Sequence, residues 1–347
     1  MFTETILIDT TANERQHRRL ARLSSEGMKR KTVVVHSLCT ELFQEVRPYL
    51  IDPKYGEQLL FAVQGLKRKN GPVNVSQVSQ LSPLRYPGGK TWLVPEVKSW
   101  VRTLGRRTEL FIEPFAGGAI TGLSIAADSL ADETILAERD PAVAALWSLL
   151  IHGGESRAEE LFSRVISFEM EIEQVKAALS GYPTSAVDKA FATIVKNRVN
   201  RGGILAPGAS MMKSGENGRG LRSRWYPQTL VKRMRAIRSI RQRLSFIEGD
   251  AFDVIEEHGH RETATWFVDP PYTAGGKKAG SRLYAFNEID HELLFQRMAS
   301  CAGAVMMTYD DAPEVRALAK KNGFAVREVP MKTTHHEVKS ELLLLKA

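Results

Sequence analysis

The sequence predicts an α/β protein built on a mainly parallel, seven-stranded sheet that is covered by helices. From residue 108 onward, short apolar runs alternate with segments of helical periodicity, as in successive βαβ units. The last two apolar runs are separated by too few residues for a helix, so these two strands are expected to pair antiparallel. The expected strands are 109–113, 134–138, 244–248, 263–268, 304–309, 324–330 and 341–345, and the expected helices are 119–129, 141–151, 251–258, 290–300 and 312–322.

The same pattern divides the chain into four parts. Residues 1–80 form an N-terminal extension of unknown role. Residues 81–151 and 244–347 supply the two parts of the core. Residues 152–243 lie between the second and third strands and are helical in pattern, so they are expected to form an inserted domain.

Composition excludes several classes of protein. The chain has 347 residues, 43% of them hydrophobic and 25% charged, which is typical of a globular protein with a sizeable core. Its two cysteines, Cys39 and Cys301, lie too far apart in sequence for a disulfide framework, a zinc ribbon or an iron–sulfur site. The sequence contains neither a secretion signal nor an apolar run that could span a membrane. A cytoplasmic protein that does not bind membranes is therefore expected.

The positive charge is concentrated in one part of the chain. The net charge is +8, and within 196–243 the basic residues are opposed by a single acid, Glu216. Such a concentration is typical of a surface that binds a phosphate backbone. An amphipathic helix with a solvated face would place arginines in the same way. The basic residues are Lys196, Arg198, Arg201, Lys213, Arg219, Arg222, Arg224, Lys232, Arg233, Arg235, Arg238, Arg241 and Arg243.

Three strand ends carry residues suited to a nucleotide-like ligand. The first strand runs into a glycine turn at 113–119, where glycines would let the backbone approach a ligand closely; a tight turn without a ligand is the alternative. The second ends at Glu138, our first choice for holding ribose hydroxyls, with Asp140 as the second choice. The third ends near Asp250, which could accept a hydrogen bond from an adenine amino group or cap the following helix.

The fourth strand ends in the most specific motif, Asp269-Pro270-Pro271-Tyr272. An exocyclic aryl amine is a poor nucleophile because its lone pair is delocalised into the ring. A carboxylate and a neighbouring backbone carbonyl can accept both amino hydrogens and direct the lone pair toward a methyl sulfonium. The prolines stiffen the turn, and the tyrosine can stack on a base that has left the duplex. A proline-rich turn with an incidental aromatic residue is the alternative.

A further motif, Tyr86-Pro87-Gly88-Gly89-Lys90, lies before the first strand. It is not a phosphate-binding loop, because Leu84 stands where that pattern requires glycine and no apolar strand precedes it. Lys90 could contact the carboxylate of S-adenosylmethionine, and Tyr86 could pack on its adenine.

Together these motifs resemble the Dam-like, alpha-group DNA adenine (amino) methyltransferases. The resemblance covers about 81–347 and includes the order of the motifs: the aromatic-x-GGK segment, the EPFxGG turn, the acid-ended second strand, a recognition insert and DPPY. It implies a seven-stranded Rossmann-like methyltransferase core with an inserted, mainly helical target-recognition domain. Two features depart from the family: Glu138 stands where aspartate is usual, and the smallest members have no counterpart of the 80-residue extension.

The resemblance also implies roles for individual residues. S-adenosylmethionine would bind without a metal and leave as S-adenosylhomocysteine. The catalytic residues would be Asp269, Pro270, Pro271 and Tyr272. The cofactor would be bound by Tyr86, Lys90, Glu113, Pro114, Phe115, Gly117, Gly118, Glu138, Asp250 and Asp269. Double-stranded DNA would be bound by Lys196, Asn197, Arg198, Asn200, Arg201, Arg219, Arg222, Arg224, Lys277, Arg282 and Tyr284.

The function that the resemblance implies is site-specific methylation of adenine N6 in duplex DNA, in a bacterial or phage-encoded protein. The recognition sequence, a homodimer and a restriction endonuclease partner are all left open. One alternative is an amino-group methyltransferase acting on RNA or on DNA cytosine. Another is a non-catalytic DNA-binding protein with a degenerate methyltransferase core.

Overall fold

The structure is a computed structural model that forms two compact units, Met1–Asn70 and Gly71–Ala347. In the first unit, strands β1 (Thr5–Ile6) and β2 (Val33–Val34) pair antiparallel. The described residues are 5–6, 33–34, 75, 78–181, 183–213, 215, 218–272, 286, 288–332 and 338–346. Most of the extension at 1–80 lies outside them, so its role stays open.

The second unit contains a seven-stranded sheet and its covering helices. The strands are β3 (Leu110–Glu113), β4 (Glu133–Glu138), β5 (Leu244–Glu248), β6 (Ala264–Val268), β7 (Ala304–Asp310), β8 (Ala325–Lys332) and β9 (Val338–Lys346). The helices are α1 (Val94–Thr103), α2 (Ile120–Ala127), α3 (Pro141–His152), α4 (Glu155–Ser167), α5 (Ile172–Ser180), α6 (Ala186–Val199), α7 (Pro227–Ser239), α8 (Ala251–His258), α9 (His291–Ser300) and α10 (Pro313–Lys321). Short 3-10 turns lie at Arg201–Gly203, Gly220–Arg224 and Arg241–Arg243.

The strand order confirms the Rossmann-like prediction. The sheet runs β5-β4-β3-β6-β7-β9-β8. Strands β3 to β7 are parallel, whereas β9 pairs antiparallel with both β7 and β8, as the short connection predicted. The chain moves outward from β3 through β4 to β5, and then returns to the other side of β3 with β6. The switch point between β3 and β6 is where an open α/β sheet usually binds ligands.

The sheet is covered on both faces because its central strands are apolar on both sides. All residues of β3 and β6 are buried. Alternate side chains separate into different core clusters: Ile112 and Trp266 pack with residues of α8, α9 and α10, whereas Phe111 and Phe267 pack with residues of α1. Side chains of α2 and α3 belong to a third cluster.

Helices α4 to α7 lie between β4 and β5 in sequence; α4, α6 and α7 pack on α3, and α5 packs on α6. Trp147 of α3 shares a core cluster with Phe162 of α4, Phe191 of α6 and Leu230 of α7. These helices therefore belong to the same compact unit as the sheet, and the segment forms no compact unit of its own. Its boundaries and its role as a recognition domain stay predictions.

Helix α1 was not predicted from the sequence. Pro95 occupies its first turn, and Val94, Val97 and Val101 are buried at helical spacing. This signal was present, but α1 precedes the first core strand and falls outside the βαβ pattern. No helix in the described part of the chain is long and apolar enough to cross a membrane.

Candidate functional site

One cavity lies at the carboxyl ends of β3, β4 and β6. It encloses about 950 Å³, including space open to solvent. It brings together all of the predicted cofactor residues, and Pro271 of the DPPY turn with them. The lining residues are Tyr86, Pro87, Gly88, Gly89, Lys90, Glu113, Pro114, Phe115, Ala116, Gly117, Gly118, Ala119, Ile120, Thr121, Glu138, Arg139, Asp140, Gly249, Asp250, Ala251, Phe252, Asp269, Pro271, Phe286, Glu288 and Ile289.

The glycine turn after β3 forms one wall and is held on both sides. Gly117 has φ +47°, and a Cβ there would lie 2.5 Å from Cε1 of Tyr86, so this position excludes any side chain. On the other side, Nε1 of the buried Trp147 donates to the Gly117 carbonyl at 2.9 Å. Ala119, which also has a positive φ of 51°, begins α2. The turn is thus a fixed surface beneath the tyrosine ring.

Glu138 accepts two backbone hydrogen bonds at the end of β4. Its Oε2 accepts from the Gly117 N–H at 2.9 Å, and its Oε1 accepts from the Asp140 N–H at 2.8 Å. Burial raises the pKa of Glu138 to about 7, although these N–H donors act in the opposite direction. The half-buried carboxylate therefore links the ends of β3 and β4 and changes charge near neutral pH. Asp140 caps α3 through the Ala142 N–H at 2.9 Å.

Glu113 is buried at the end of β3, with 3% of its surface exposed. Its Oε2 accepts from the Gly122 N–H at 2.7 Å. Burial raises its pKa well above the usual range, and the nearby charge of Asp269 raises it further. Glu113 therefore anchors the first turn of α2 and also contributes to the cavity wall.

Asp269 follows β6 directly and is held through one of its two oxygens. Its Oδ1 lies 2.9 Å from Nζ of Lys90 and accepts from Oγ1 of Thr308 at 2.7 Å. Within the described residues, no contact is made by Oδ2. The side chain is 21% exposed and lines the cavity, so one carboxylate oxygen is anchored while the other remains available as an acceptor.

Tyr272 is held from two directions. Its hydroxyl donates to Oε1 of Glu341, and its ring stacks on Tyr309 with 5.6 Å between centroids and 20° between planes. Nζ of Lys90 lies 4.9 Å from the centre of the Tyr272 ring. Burial raises the pKa of Tyr272 well above its usual range, so its hydroxyl stays protonated and donates.

Glu341 was not predicted as a site residue. It lies on β9 opposite Asp310, is only 2% exposed, and is 3.4 Å from Nζ of Lys90. Burial raises its pKa, whereas the charge of Lys90 lowers it. The signal in the sequence was an acid directly before the apolar run 342–345, because an acid on a strand buried on both faces requires a partner.

Lys90 contacts three acceptors among the described residues. Besides Asp269 and Glu341, it donates to the carbonyl of Gly88 at 2.8 Å, and it is 5% exposed. Its ammonium group therefore lies between the two acids and also bonds within the GGK turn. Contact with a cofactor carboxylate stays a prediction that would require one of these bonds to be exchanged.

Asp250 forms the helix cap that was the alternative reading of its position. Its Oδ1 accepts from the Phe252 N–H at 2.9 Å, and its Oδ2 lies 3.1 Å from Nη1 of Arg139. The guanidinium of Arg139 also lies over the ring of Phe286, at 4.9 Å. The cap does not exclude an adenine contact, because Asp250 also lines the cavity.

The cavity suits a cationic nucleoside cofactor. It has a glycine turn that any Cβ would obstruct, a strand-end acid suited to ribose hydroxyls, and the aromatic walls Tyr86, Phe115 and Phe252. Its charge balance is acidic, which favours a ligand that carries a sulfonium and an ammonium group. The acids are Glu113, Glu138, Asp140, Asp250, Asp269 and Glu288, and the bases are Lys90 and Arg139; since burial raises the pKa of Glu113 and favours its neutral form, the negative charge comes from the other acids.

The predicted DNA contacts separate into buried and exposed residues. Asn197, Arg198 and Asn200 are buried, so none of them belongs to the exposed basic surface. Asn197 bonds to the backbone of Arg85 and Gly203, and Asn200 donates to the Ile204 carbonyl. The number of basic residues in this segment does not show that Arg198 is buried.

The remaining members of the predicted DNA set are more accessible. Arg201, Arg219 and Arg222 are exposed, although Arg222 also pairs with Glu171. Lys196 and Arg224 are partly exposed, and Lys196 donates to the Leu205 carbonyl at 2.8 Å. Lys277, Arg282 and Tyr284 lie outside the described residues, so their contribution stays a prediction. Among the described residues, no group of histidine, cysteine and acidic side chains could hold a metal ion.

No protein-family model and no curated protein sequence matches this chain. Several solved structures are similar at low identity. They include a proposed RNA methyltransferase of Pyrococcus horikoshii (11% identity over 78% of this chain and 92% of that one, TM-score 0.35). An rRNA methyltransferase of Streptomyces viridochromogenes is 12% identical over 75% and 85% of the two chains, with TM-score 0.35. A precorrin-6y C5,15-methyltransferase of Geobacter metallireducens is 9% identical over 72% and 86%, with TM-score 0.30.

Proposed function

We propose that the chain is an S-adenosylmethionine-dependent methyltransferase that methylates the N6 amino group of adenine in double-stranded DNA. One observation carries the proposal. Asp269, anchored through Oδ1 to Lys90 and Thr308, lines the same cavity as the glycine turn and Glu138. This supports the proposal because a methyl donor bound in the cavity would lie beside a turn that can bind an amino group, at the switch point of the sheet.

The chain's own residues position the acceptor nitrogen. The cofactor would supply a methyl group activated by a positively charged sulfur. Oδ2 of Asp269 and the carbonyl of Pro270, which accepts no hydrogen bond within the described residues, take the two amino hydrogens and direct the nitrogen lone pair outward. The nitrogen gains a positive charge as its new bond to carbon forms. The carboxylate of Asp269 stabilises that charge and can accept the proton that is then lost.

Tyr272, which adjoins the residues that line the cavity, is the residue that would stack on the base. Its hydroxyl is bound to Glu341, Tyr309 stacks on its ring and Nζ of Lys90 lies 4.9 Å from the ring centre, so the ring cannot turn freely and a base would have to displace Lys90 from any face that they share. A ring that is already fixed loses little conformational entropy when a planar base stacks on it. Tyr272 is therefore assigned to stacking and Asp269 with Pro270 to hydrogen bonding.

The exposed basic residues favour a nucleic acid over a small amine as the substrate. Arg201, Lys213, Arg219 and Arg222 are exposed within one short stretch of the chain, and the stretch 196–243 contains one acid in its sequence. Positive charge of this density attracts a phosphate backbone and releases counterions when it binds.

The decisive experiment is methyl transfer to defined nucleic acids. The protein is incubated with radiolabelled S-adenosylmethionine and either duplex DNA or structured RNA, and the products are digested to nucleosides and separated. Label in N6-methyldeoxyadenosine is expected, and it should disappear with Asp269→Ala. Label found only in RNA, or in N4-methyldeoxycytidine, would contradict the assigned substrate. Absence of cofactor binding by calorimetry would contradict the activity as a whole.

A further inference from the structure

Four arginines lie together beside the cavity: Arg85, Arg198, Arg224 and Arg233, here called the arginine cluster. They come from the segment before the GGK turn, from α6, from the 3-10 turn at Gly220–Arg224 and from α7. None of the proposed catalytic steps uses them. Arg85 directly precedes Tyr86, which lines the cavity, so the cluster adjoins the proposed active site.

Segment 82–86 holds the cluster together. Nη2 of Arg198 donates to the carbonyl of Pro83, and Nη1 of Arg233 donates to the carbonyl of Ser82 at 3.0 Å. Asn197 fixes Arg85 by accepting from its N–H at 2.9 Å and donating to its carbonyl at 2.8 Å. The guanidinium groups of Arg198 and Arg233 are therefore held side by side, because they donate to the carbonyls of neighbouring residues.

Three of the four arginines have no acidic partner in the part of the chain that the structure describes. Arg85, Arg198 and Arg233 form no ion pair with any carboxylate of the described residues. Nη1 of Arg85 and Nε of Arg198 are buried and have no hydrogen-bond partner among the described residues. The whole side chain of Arg198 is only 6% exposed. Burial and the neighbouring arginines lower the pKa of Arg198 to about 9, and burial with the charge of Arg224 lowers that of Arg85.

The other buried arginine of α7 provides the comparison. Arg238 is 5% exposed and its Nε also lacks a hydrogen-bond partner in the described part of the chain, but it pairs with Glu155 at 2.7 Å and donates to the carbonyls of Leu150 and Gly153. The two buried arginines therefore differ in that Arg238 has an acidic partner and Arg198 has none among the described residues. Burying a cation without a counterion costs several kcal/mol by general estimates, and an anion that entered the cluster would offset that cost.

We propose that the arginine cluster binds a phosphate group. Guanidinium groups present paired N–H donors whose spacing matches phosphate oxygens, and the unpartnered donors of Arg85 and Arg198 supply the hydrogen bonds. The identity of the phosphate rests on the proposed function: it is a backbone phosphate of the nucleic acid, close to the base that enters the cavity. This site is distinct from the exposed basic residues, because it is built from buried and half-buried groups.

The first test uses inorganic phosphate alone. The unfolding temperature of the full chain is measured in potassium phosphate and in potassium chloride of equal ionic strength. Arg233→Gln removes one member of the cluster, and Arg235→Gln is the matched control, since Arg235 is an exposed residue of the same helix that pairs with Glu159. Phosphate should stabilise the wild type and Arg235→Gln, and this difference should fall by at least about half in Arg233→Gln. Equal effects of phosphate on all three proteins would overturn the proposal.

The second test identifies the source of the phosphate. Binding of a duplex DNA oligonucleotide is measured from low to high salt without cofactor. Arg233→Gln should reduce the slope of log affinity against log salt by about one, and Arg235→Gln should leave it unchanged. A phosphate effect without a change in slope would support the site but contradict its assignment to DNA. Neither measurement requires methyl transfer, so failure of the proposed function would be seen separately.

If Arg233→Gln fails to fold, Arg233→Lys keeps the charge and loses the paired donors. It is expected to retain part of the phosphate effect. Full retention would contradict a geometric role for the guanidinium.

Discussion

Replacing Asp269 by asparagine tests the proposed chemistry most sharply, because the structure limits how the amide can sit. Oδ1 of Asp269 faces Nζ of Lys90 and Oγ1 of Thr308, both of which donate to it. The amide oxygen is therefore expected to occupy this position, which places the NH2 group where Oδ2 stood. A donor would then face the amino hydrogens of the substrate.

The size of the effect follows from two losses. A hydrogen bond to a charged acceptor contributes about 1.5–3 kcal/mol, and a donor left facing another donor costs about 1–3 kcal/mol. Their sum, roughly 2.5–6 kcal/mol, corresponds to a fall in kcat of about 10² to 10⁴. The affinity for S-adenosylmethionine should change only a few-fold, since Lys90 and the rest of the cavity wall remain in place.

The assay compares single-turnover methyl transfer and calorimetric cofactor binding for wild type, Asp269→Asn and Asp269→Ala. Asp253→Ala is the control, because Asp253 is an exposed acid of α8 outside the cavity lining. It should behave as the wild type. Asp269→Asn with more than about one tenth of wild-type kcat would refute the assigned role of Oδ2, since that fall is smaller than the lower estimate.

Three further predictions follow from the cavity. Glu341→Gln keeps an acceptor for Tyr272 but removes a charge near Lys90, so kcat should fall by a larger factor than the affinity for the cofactor. Glu341→Ala should in addition lower the unfolding temperature. An unchanged kcat in both variants would contradict a positioning role for Glu341. Cofactor affinity should be constant above about pH 7 and fall by up to tenfold per pH unit below it, because the proposed ribose contact requires ionised Glu138. A Glu138→Gln variant should lose this pH dependence. The same pH profile in both proteins would contradict the ribose contact. Gly117→Ala should lower the free energy of unfolding by about 1–3 kcal/mol, because position 117 has a positive φ. The added Cβ should also displace the Tyr86 ring and weaken cofactor binding, as measured by calorimetry. Wild-type affinity in this variant would contradict the close packing of Tyr86 on Gly117.

Much of the core could be predicted because periodicity and strand ends are local signals. The expected strand 244–248 and the expected helix 251–258 match β5 and α8 at both ends. The glycine turn and Asp269 follow buried strands directly, and Glu138 is the last residue of β4. Since the carboxyl ends of parallel strands meet at one edge of a sheet, sequence alone could place these residues in one cavity.

The remaining site residues depend on contacts that sequence does not show. Glu341 lies beside Lys90 of the cavity wall because β9 runs antiparallel to β7, which places the beginning of β9 at the edge where the parallel strands end. Arg198 has the same composition signal as Arg201, yet one is buried and the other exposed. Charge counts measure how many basic residues a segment has, and only packing determines which of them can reach a ligand.

The arginine cluster and the cavity share segment 82–86, so the two sites are expected to be coupled. Arg198 and Arg233 hold its first residues, Asn197 holds Arg85, and the ring of Tyr86 lies on the glycine turn. An anion that relieves repulsion among the arginines should stabilise the conformation in which Tyr86 lines the cavity.

Because coupling between two binding sites is reciprocal, inorganic phosphate should then raise the affinity for S-adenosylmethionine, by a factor of about 5 or more if the coupling is of ordinary size. Calorimetric titration in phosphate and in chloride of equal ionic strength measures this factor. Arg235→Gln should retain it and Arg233→Gln should lose it. If the wild type binds S-adenosylmethionine equally well in the two salts, segment 82–86 does not couple the two sites. This holds even if each site binds its own ligand.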